Sequence, residues 1–166
     1  MYAVVDIEAT GGNHVNGRII EIAIILFDGE KIVSEYSTLV NPEVKIDWYV
    51  TKLTGIKNSM VADAPLFKDV AKEILALTKG AIFVAHDVDF DYKFLKAELG
   101  KAGLEFNEPK VCTLKLSQKH LPEEESYSLG KLCDAVGIPI PKEVRHRAAG
   151  DAVATAKLLG LLLSND

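Results

Sequence analysis

A chain of 166 residues has room for one domain with a single core and is short for two, so one unit over residues 1–166 is expected. Its 48% hydrophobic and 26% charged content is that of an ordinary globular protein; with no bilayer-spanning apolar run and no signal-peptide pattern in MYAVVDIEATGG, a cytoplasmic location is expected. A net charge of −5, from 19 basic and 24 acidic residues, excludes coating nucleic acid with a broad basic surface, but not gripping a short end through bound cations.

Residues 2–7 form a short apolar run rich in β-branched side chains, which predicts a buried strand. The nearly continuous apolar run 19–27 predicts a second strand, with Asp28-Gly29 as a hairpin turn after it. Residues 31–40 read as a third, closed by Asn41-Pro42, and the three together as an antiparallel meander. The period then changes: over 66–77, Phe67, Val70, Ala71, Ile74 and Leu77 share one helical face. Residues 81–85 predict a short buried strand, followed by a helix from about 90 to 102. Near the end, Ala149, Ala152, Val153, Ala156, Leu159 and Leu163 fit the apolar stripe of a terminal helix. The pattern is that of an α/β fold, a mixed sheet flanked by helices, whose loops converge on a site at the strand ends. Cys112 and Cys133 are isolated and read as reduced thiols.

Three polar groups interrupt this pattern. Asp6 and Glu8 stand at i and i+2 of the first strand, so alternation puts both carboxylates on one face. Side by side in a sheet they repel and lose hydration, which a cation would relieve; if the strand instead ends before Asp6, both are simply solvated. His86-Asp87-Val88-Asp89-Phe90-Asp91 follows the strand at 81–85; N-capping accounts for Asp87 or Asp89, whereas Asp91 stands where it can reach the same strand ends. His146-Arg147-Ala148-Ala149-Gly150-Asp151 places small residues in a tight turn into the last helix; taken alone, it reads first as an exposed histidine and a capping aspartate. Together the groups offer four carboxylates and one histidine. Oxygen-only donors suit Mg²⁺ or Mn²⁺ rather than zinc, and two such ions about 3.5–4 Å apart can stabilise the attacking and leaving oxygens of a phosphoryl displacement. A histidine beside them is suited to take a proton from water near neutral pH.

The order and spacing of these motifs resemble the DEDD exonucleases of ribonuclease H-like fold, in the histidine-marked (DEDDh) group. The likeness runs through Val5–Gly11, Val84–Asp91 and His146–Asp151, with Leu53-Thr54-Gly55-Ile56 and Tyr127-Ser128-Leu129-Gly130-Lys131-Leu132 between them. It is most similar to the proofreading epsilon-subunit type of bacterial DNA polymerase III. The resemblance implies a 3′→5′ exonuclease acting on single-stranded DNA, with RNA ends or a non-catalytic polymerase-associated role as alternatives. It implies that Asp6, Glu8 and Asp151 ligate one metal, that Asp6 bridges to a second, and that Asp91 acts mostly through its waters. His146 would be the general base. Ile7, Ala9, Thr10 and Gly11 would contact the terminal nucleotide, partly through backbone groups, while Leu53 and Phe90 line base and sugar. Two positions depart from the family pattern: Ala9, where Thr is usual, and Asp87, where Asn is frequent.

Other polar and aromatic residues take plainer readings. Glu21, inside the second strand, is expected to be salt-bridged or at a strand end, and Arg145 and Arg147 to be solvated loop arginines. Trp48 and Tyr49 fit either stacking on a base or packing a short helix on the sheet.

Overall fold

Five strands form one mixed sheet: β1 (Tyr2–Ala9), β2 (Ile19–Phe27), β3 (Ile32–Leu39), β4 (Ile82–Ala85) and β5 (Lys110–Cys112), in spatial order β3-β2-β1-β4-β5. The structure, a computed structural model, describes residues 1–165; Asp166, the last residue of the expected domain, lies outside the described residues. The first three strands are the antiparallel meander read from the sequence, and β4 and β5 add to the other edge of β1 in parallel. Helices α1 (Trp48–Thr54), α2 (Asn58–Val61), α3 (Phe67–Thr78), α4 (Val88–Lys101), α5 (Thr113–His120), α6 (Leu129–Ala135) and α7 (Ala148–Ser164) surround it, with a 3₁₀ turn at Lys142–Val144. Among the described residues no helix is long and apolar enough to cross a membrane.

Alternation along β1 divides the core. Ala3, Val5 and Ile7 pack with Phe67, Ala71 and Ile74 of α3 and Phe94, Leu95 and Leu99 of α4. Val4 faces the other way, with Ala23, Ile25 and Val84, onto Ala148, Ala152, Ala156 and Leu159 of α7. A further side of α7, through Ala154, Leu158 and Leu162, packs against Leu132 and Cys133 of α6. The stripe expected on this helix is therefore too narrow, because α7 is covered both by the sheet and by α6. Cys112 and Cys133 are free and buried, and burial pushes the Cys133 thiol up to about 11, the state of an unreactive thiol.

Two boundaries differ from the sequence reading by two residues each. β1 continues to Ala9, so it includes Asp6 and Glu8. α4 begins at Val88, two residues earlier than expected, since Asp87 adopts a left-handed conformation (φ 65°) that turns the chain directly from β4 into the helix. β5, α5 and α6 were not foreseen; each is three to eight residues long and gives too short a period to read.

Candidate active site

The even-numbered face of β1, which packs on α7 at Val4, carries Asp6 and Glu8 at its far end. Asp151 lies in the first turn of α7, and carboxylate oxygens of Asp6, Glu8 and Asp151 all lie within 4.8 Å of one another. Asp91 arrives from a different direction. The β1–β4 ladder pairs residues only as far as Val4 with Val84, and beyond it the Ile7 N–H donates to Asp91 Oδ1 at 3.0 Å. This bond holds the first turn of α4 against β1 and leaves Asp91, 4% exposed, beside the other three acids but outside their close oxygen cluster.

The electrostatic consequence is large. Burial, then the charges of Asp91, Glu8, Asp151 and Glu21, push the Asp6 carboxyl well above the usual range. Glu8 is raised to about 8, by burial first and then by Asp151, Glu21 and Asp91, with Arg147 pulling it back. Burial raises Asp91 to about 8 against the lowering effect of the Ile7 hydrogen bond. Asp151 is raised by burial, although the His146 ring, the His146 N–H and Arg145 oppose this. Among the described residues none of the four forms an ion pair. Hard oxygen donors crowded together without a cationic side chain fit a divalent cation such as Mg²⁺ or Mn²⁺.

The segment before α7 is fastened on both sides of His146. Arg147 makes a forked pair with Glu21, Nη2 to Oε1 at 2.7 Å and Nε to Oε2 at 3.0 Å, and Glu21 Oε2 also accepts the Ala148 N–H at 3.0 Å. Glu21 lies directly across from Glu8 in the β1–β2 ladder, so this contact registers the start of α7 against the strand that carries the acids. Arg145 forms its own fork with Asp134, at 2.8 and 3.1 Å. The two arginines are thus structural clamps rather than solvated side chains, while Glu21 is salt-bridged as expected. Between them His146 takes a left-handed backbone (φ 57°) and is exposed. It lines one cavity of about 310 Å³ with Asp151, Ser128, Leu129, Gly130 and Lys131. Gly150 makes this arrangement possible: a Cβ there would meet the Val144 carbonyl oxygen at 2.4 Å.

The other expected contacts are distributed as follows. Ala9 ends β1 at a register irregularity, and Thr10 turns the chain away, its N–H donating to the Arg18 carbonyl and its hydroxyl accepting the Arg18 N–H, both at 2.9 Å. Gly11 lies beside the Tyr49 hydroxyl. Leu53 and Phe90 are 59% and 36% exposed, open to a ligand. The Ile7 side chain is buried in the core and its N–H is committed to Asp91, so of its groups only the carbonyl is left for a nucleotide. Asp87, in place of the frequent Asn, is exposed at a left-handed position, a conformation both residue types tolerate. The sequence reading passed over two further supports. His86 joins Thr113 Oγ1 at 2.9 Å and the Tyr127 carbonyl at 2.7 Å, tying the β4–α4 turn to α5 and to the Tyr127–Leu132 segment. Arg18 joins Glu98 of α4 at 2.7 Å and anchors the loop that follows Thr10.

The Exonuclease family model matches residues 3–159. A PolC-type DNA polymerase III from Caldanaerobacter subterraneus subsp. tengcongensis is 40% identical over 157 residues, covering 95% of this chain and 11% of that protein. The 3′-5′ exonuclease DinG of Staphylococcus aureus is 37% identical over 159 residues, again 95% of this chain but 18% of its own length. The chain therefore spans less than a fifth of these curated relatives. Among solved structures, Exonuclease X in complex with 5′-overhanging duplex DNA superimposes with a TM-score of 0.78 at 30% identity, over 99% of this chain and 92% of that one. The nuclease domain of 3′hExo, a DEDDh family member bound to rAMP, shares the fold, with a TM-score of 0.83 at 20% identity over 98% of this chain and 91% of its own. A five-stranded sheet of this order, acids converging on the end of β1 and the match over residues 3–159 together establish that the chain belongs to the Exonuclease family.

Proposed function

We propose that this chain removes nucleotides one at a time from the 3′ end of single-stranded DNA, releasing nucleoside 5′-monophosphates, in proofreading or repair. The observation that carries this reading is the carboxylate cluster: three oxygens within 4.8 Å, Asp91 alongside, and an exposed histidine on the same cavity as Asp151. Asp6, Glu8 and Asp151 would hold one divalent ion, Mg²⁺ or Mn²⁺, and Asp6 would share a second with Asp91 acting through water. Bound there, the ions would supply Lewis-acid stabilisation to the attacking and leaving oxygens of the phosphodiester. His146 accepts the proton of the attacking water, and its exposure lets it return that proton to solvent. Ala9, Thr10 and Gly11 offer backbone groups to the terminal nucleotide, and Leu53 and Phe90 cover its base and sugar. Residues 1–166 act as one catalytic unit, and the PolC-type relative favours work beside a polymerase or replication assembly.

The test is a gel time course on 5′-labelled single-stranded DNA with Mn²⁺ and an EDTA control. Shortening from the 3′ end that EDTA abolishes is the expected result. The 3′hExo domain with rAMP favours trimming of RNA ends as the second reading, and matched DNA and RNA oligonucleotides separate the two, because only the 2′-hydroxyl distinguishes them. Intact bands on both would overturn the catalytic reading in favour of a non-catalytic polymerase-associated subunit.

A further inference from the structure

Helix α1 exposes an unusual surface. Val50 and Thr54 face the core, while Trp48, Tyr49 and Leu53 are 75%, 51% and 59% exposed. Single exposed apolar side chains are ordinary on a protein surface, but two adjacent aromatics and a leucine on two turns of one helix make a contiguous patch. The patch is ordered: the Trp48 and Tyr49 rings meet edge to face at 6.4 Å, and Lys52 Nζ sits 6.0 Å from the centre of the Trp48 ring. It also reaches the segment that leaves the end of β1, because the Tyr49 hydroxyl lies beside Gly11. Finally, it is locally basic. Over residues 44–57 the lysines Lys45, Lys52 and Lys57 face a single acid, Asp47, and among the described residues none of the three lysines is ion-paired. In a chain of net charge −5 this is a favourable place for a polyanion that also presents flat apolar rings.

We infer that Trp48, braced edge-on by Tyr49, is a stacking platform for the base next to the 3′-terminal nucleotide of a single-stranded polynucleotide, with Lys52 serving the phosphate between them. This rests on the exonuclease reading for the position of the terminal nucleotide. On that reading Gly11 and Leu53 border the terminal nucleotide; Tyr49 lies beside Gly11, and Trp48 precedes it on the same helix. Stacking on an aromatic face accepts any base, so the platform adds affinity without sequence preference. It also gives the enzyme a reason to prefer strands of two or more nucleotides over a mononucleotide ester.

Trp48 is the one tryptophan of the chain, so its fluorescence reports the platform directly. The H146A variant in Mn²⁺, titrated with thymidine 5′-monophosphate, a thymidine dinucleotide and a longer oligothymidylate, should show quenching with the two longer ligands and none with the mononucleotide. In steady-state assays on single-stranded oligonucleotides, W48A should raise KM roughly ten-fold or more with kcat nearly unchanged, and W48F should restore most of the loss. With its side chain mostly in solvent, Trp48 can be removed without opening the core, and circular dichroism checks this. Normal hydrolysis with an unchanged KM in W48A and no quenching by any oligonucleotide would overturn the platform while leaving the exonuclease reading intact, and would assign α1 to a protein neighbour. Quenching by oligonucleotides from a wild-type chain that never hydrolyses them would keep the platform and overturn the exonuclease reading.

Discussion

Asp6 is the residue at which the acids converge, since Asp91, Glu8, Asp151 and Glu21 all add to its burial in holding its proton. Asp6→Ala removes the oxygen shared by the proposed ion sites and should abolish hydrolysis; near-wild-type rates would refute the two-ion scheme. His146→Ala takes away a proton acceptor but none of the clustered oxygens. Turnover should fall roughly 10²- to 10⁴-fold while calorimetric Mn²⁺ affinity stays close to that of the wild type. Lost affinity would instead make His146 a ligand. Taken singly, these residues read as solvated or capping groups; they were legible through the order and spacing of the three motifs together. Glu21 stands out in an apolar strand, yet its partner Arg147 is 126 positions away, and no local pattern connects them. A motif also names a stretch of chain, while alternation decides which of its side chains point inward, as Ile7 does.

At the scale of elements, the site depends on how the start of α7 is held against β1. Glu21→Gln keeps the shape but removes the charge that pairs with Arg147 and accepts the Ala148 N–H. Breaking a buried pair costs about 3–5 kcal/mol, and the lower end applies because Arg147 is 32% exposed. The melting temperature should fall, and kcat should fall more than KM changes, because Asp151 and His146 are displaced together. An unchanged kcat in a variant that melts lower would mean that the pair serves stability alone. Gly150→Ala tests the same hinge from the other side: its Cβ would overlap the Val144 carbonyl, costing about 1–3 kcal/mol and shifting the turn that carries His146. Wild-type kinetics in that variant would show that the turn has room to yield. The long elements were readable since their hydrophobic periods repeat, whereas β5 has only three residues and is a strand by virtue of its neighbour β4. Likewise, α1 was readable only as an ambiguity at Trp48 and Tyr49, because packing and display require the same side chains.

For the whole molecule, the cluster sets stability against function. Glu8 and Asp91, each raised to about 8, and Asp6, also raised, bind protons more tightly in the folded chain than in the unfolded one. Their contribution is therefore fully present below the ordinary carboxylate range near pH 4, and it is lost as the pH rises toward and through 8. Asp28 and Asp89 are shifted the opposite way but titrate below this window, and His86, held below its ordinary value by burial, opposes the trend between pH 5 and about 6.5 as one group against four raised carboxylates. In EDTA the melting temperature should fall by at least roughly 5 °C between pH 5 and pH 8.5. Mn²⁺ should reverse the trend. An ion binds the ionised carboxylates in competition with protons, so its stabilisation grows as the pH climbs through the same window. The D6A variant, with the acid on which the other charges converge removed, should show both a flatter pH profile in EDTA and a smaller Mn²⁺ increment. A wild-type melting curve in EDTA that is flat or rises over this range would mean that the four acids are not electrostatically frustrated in the absence of metal. The cluster would then lose its energetic reason to recruit a cation, whatever its oxygens permit.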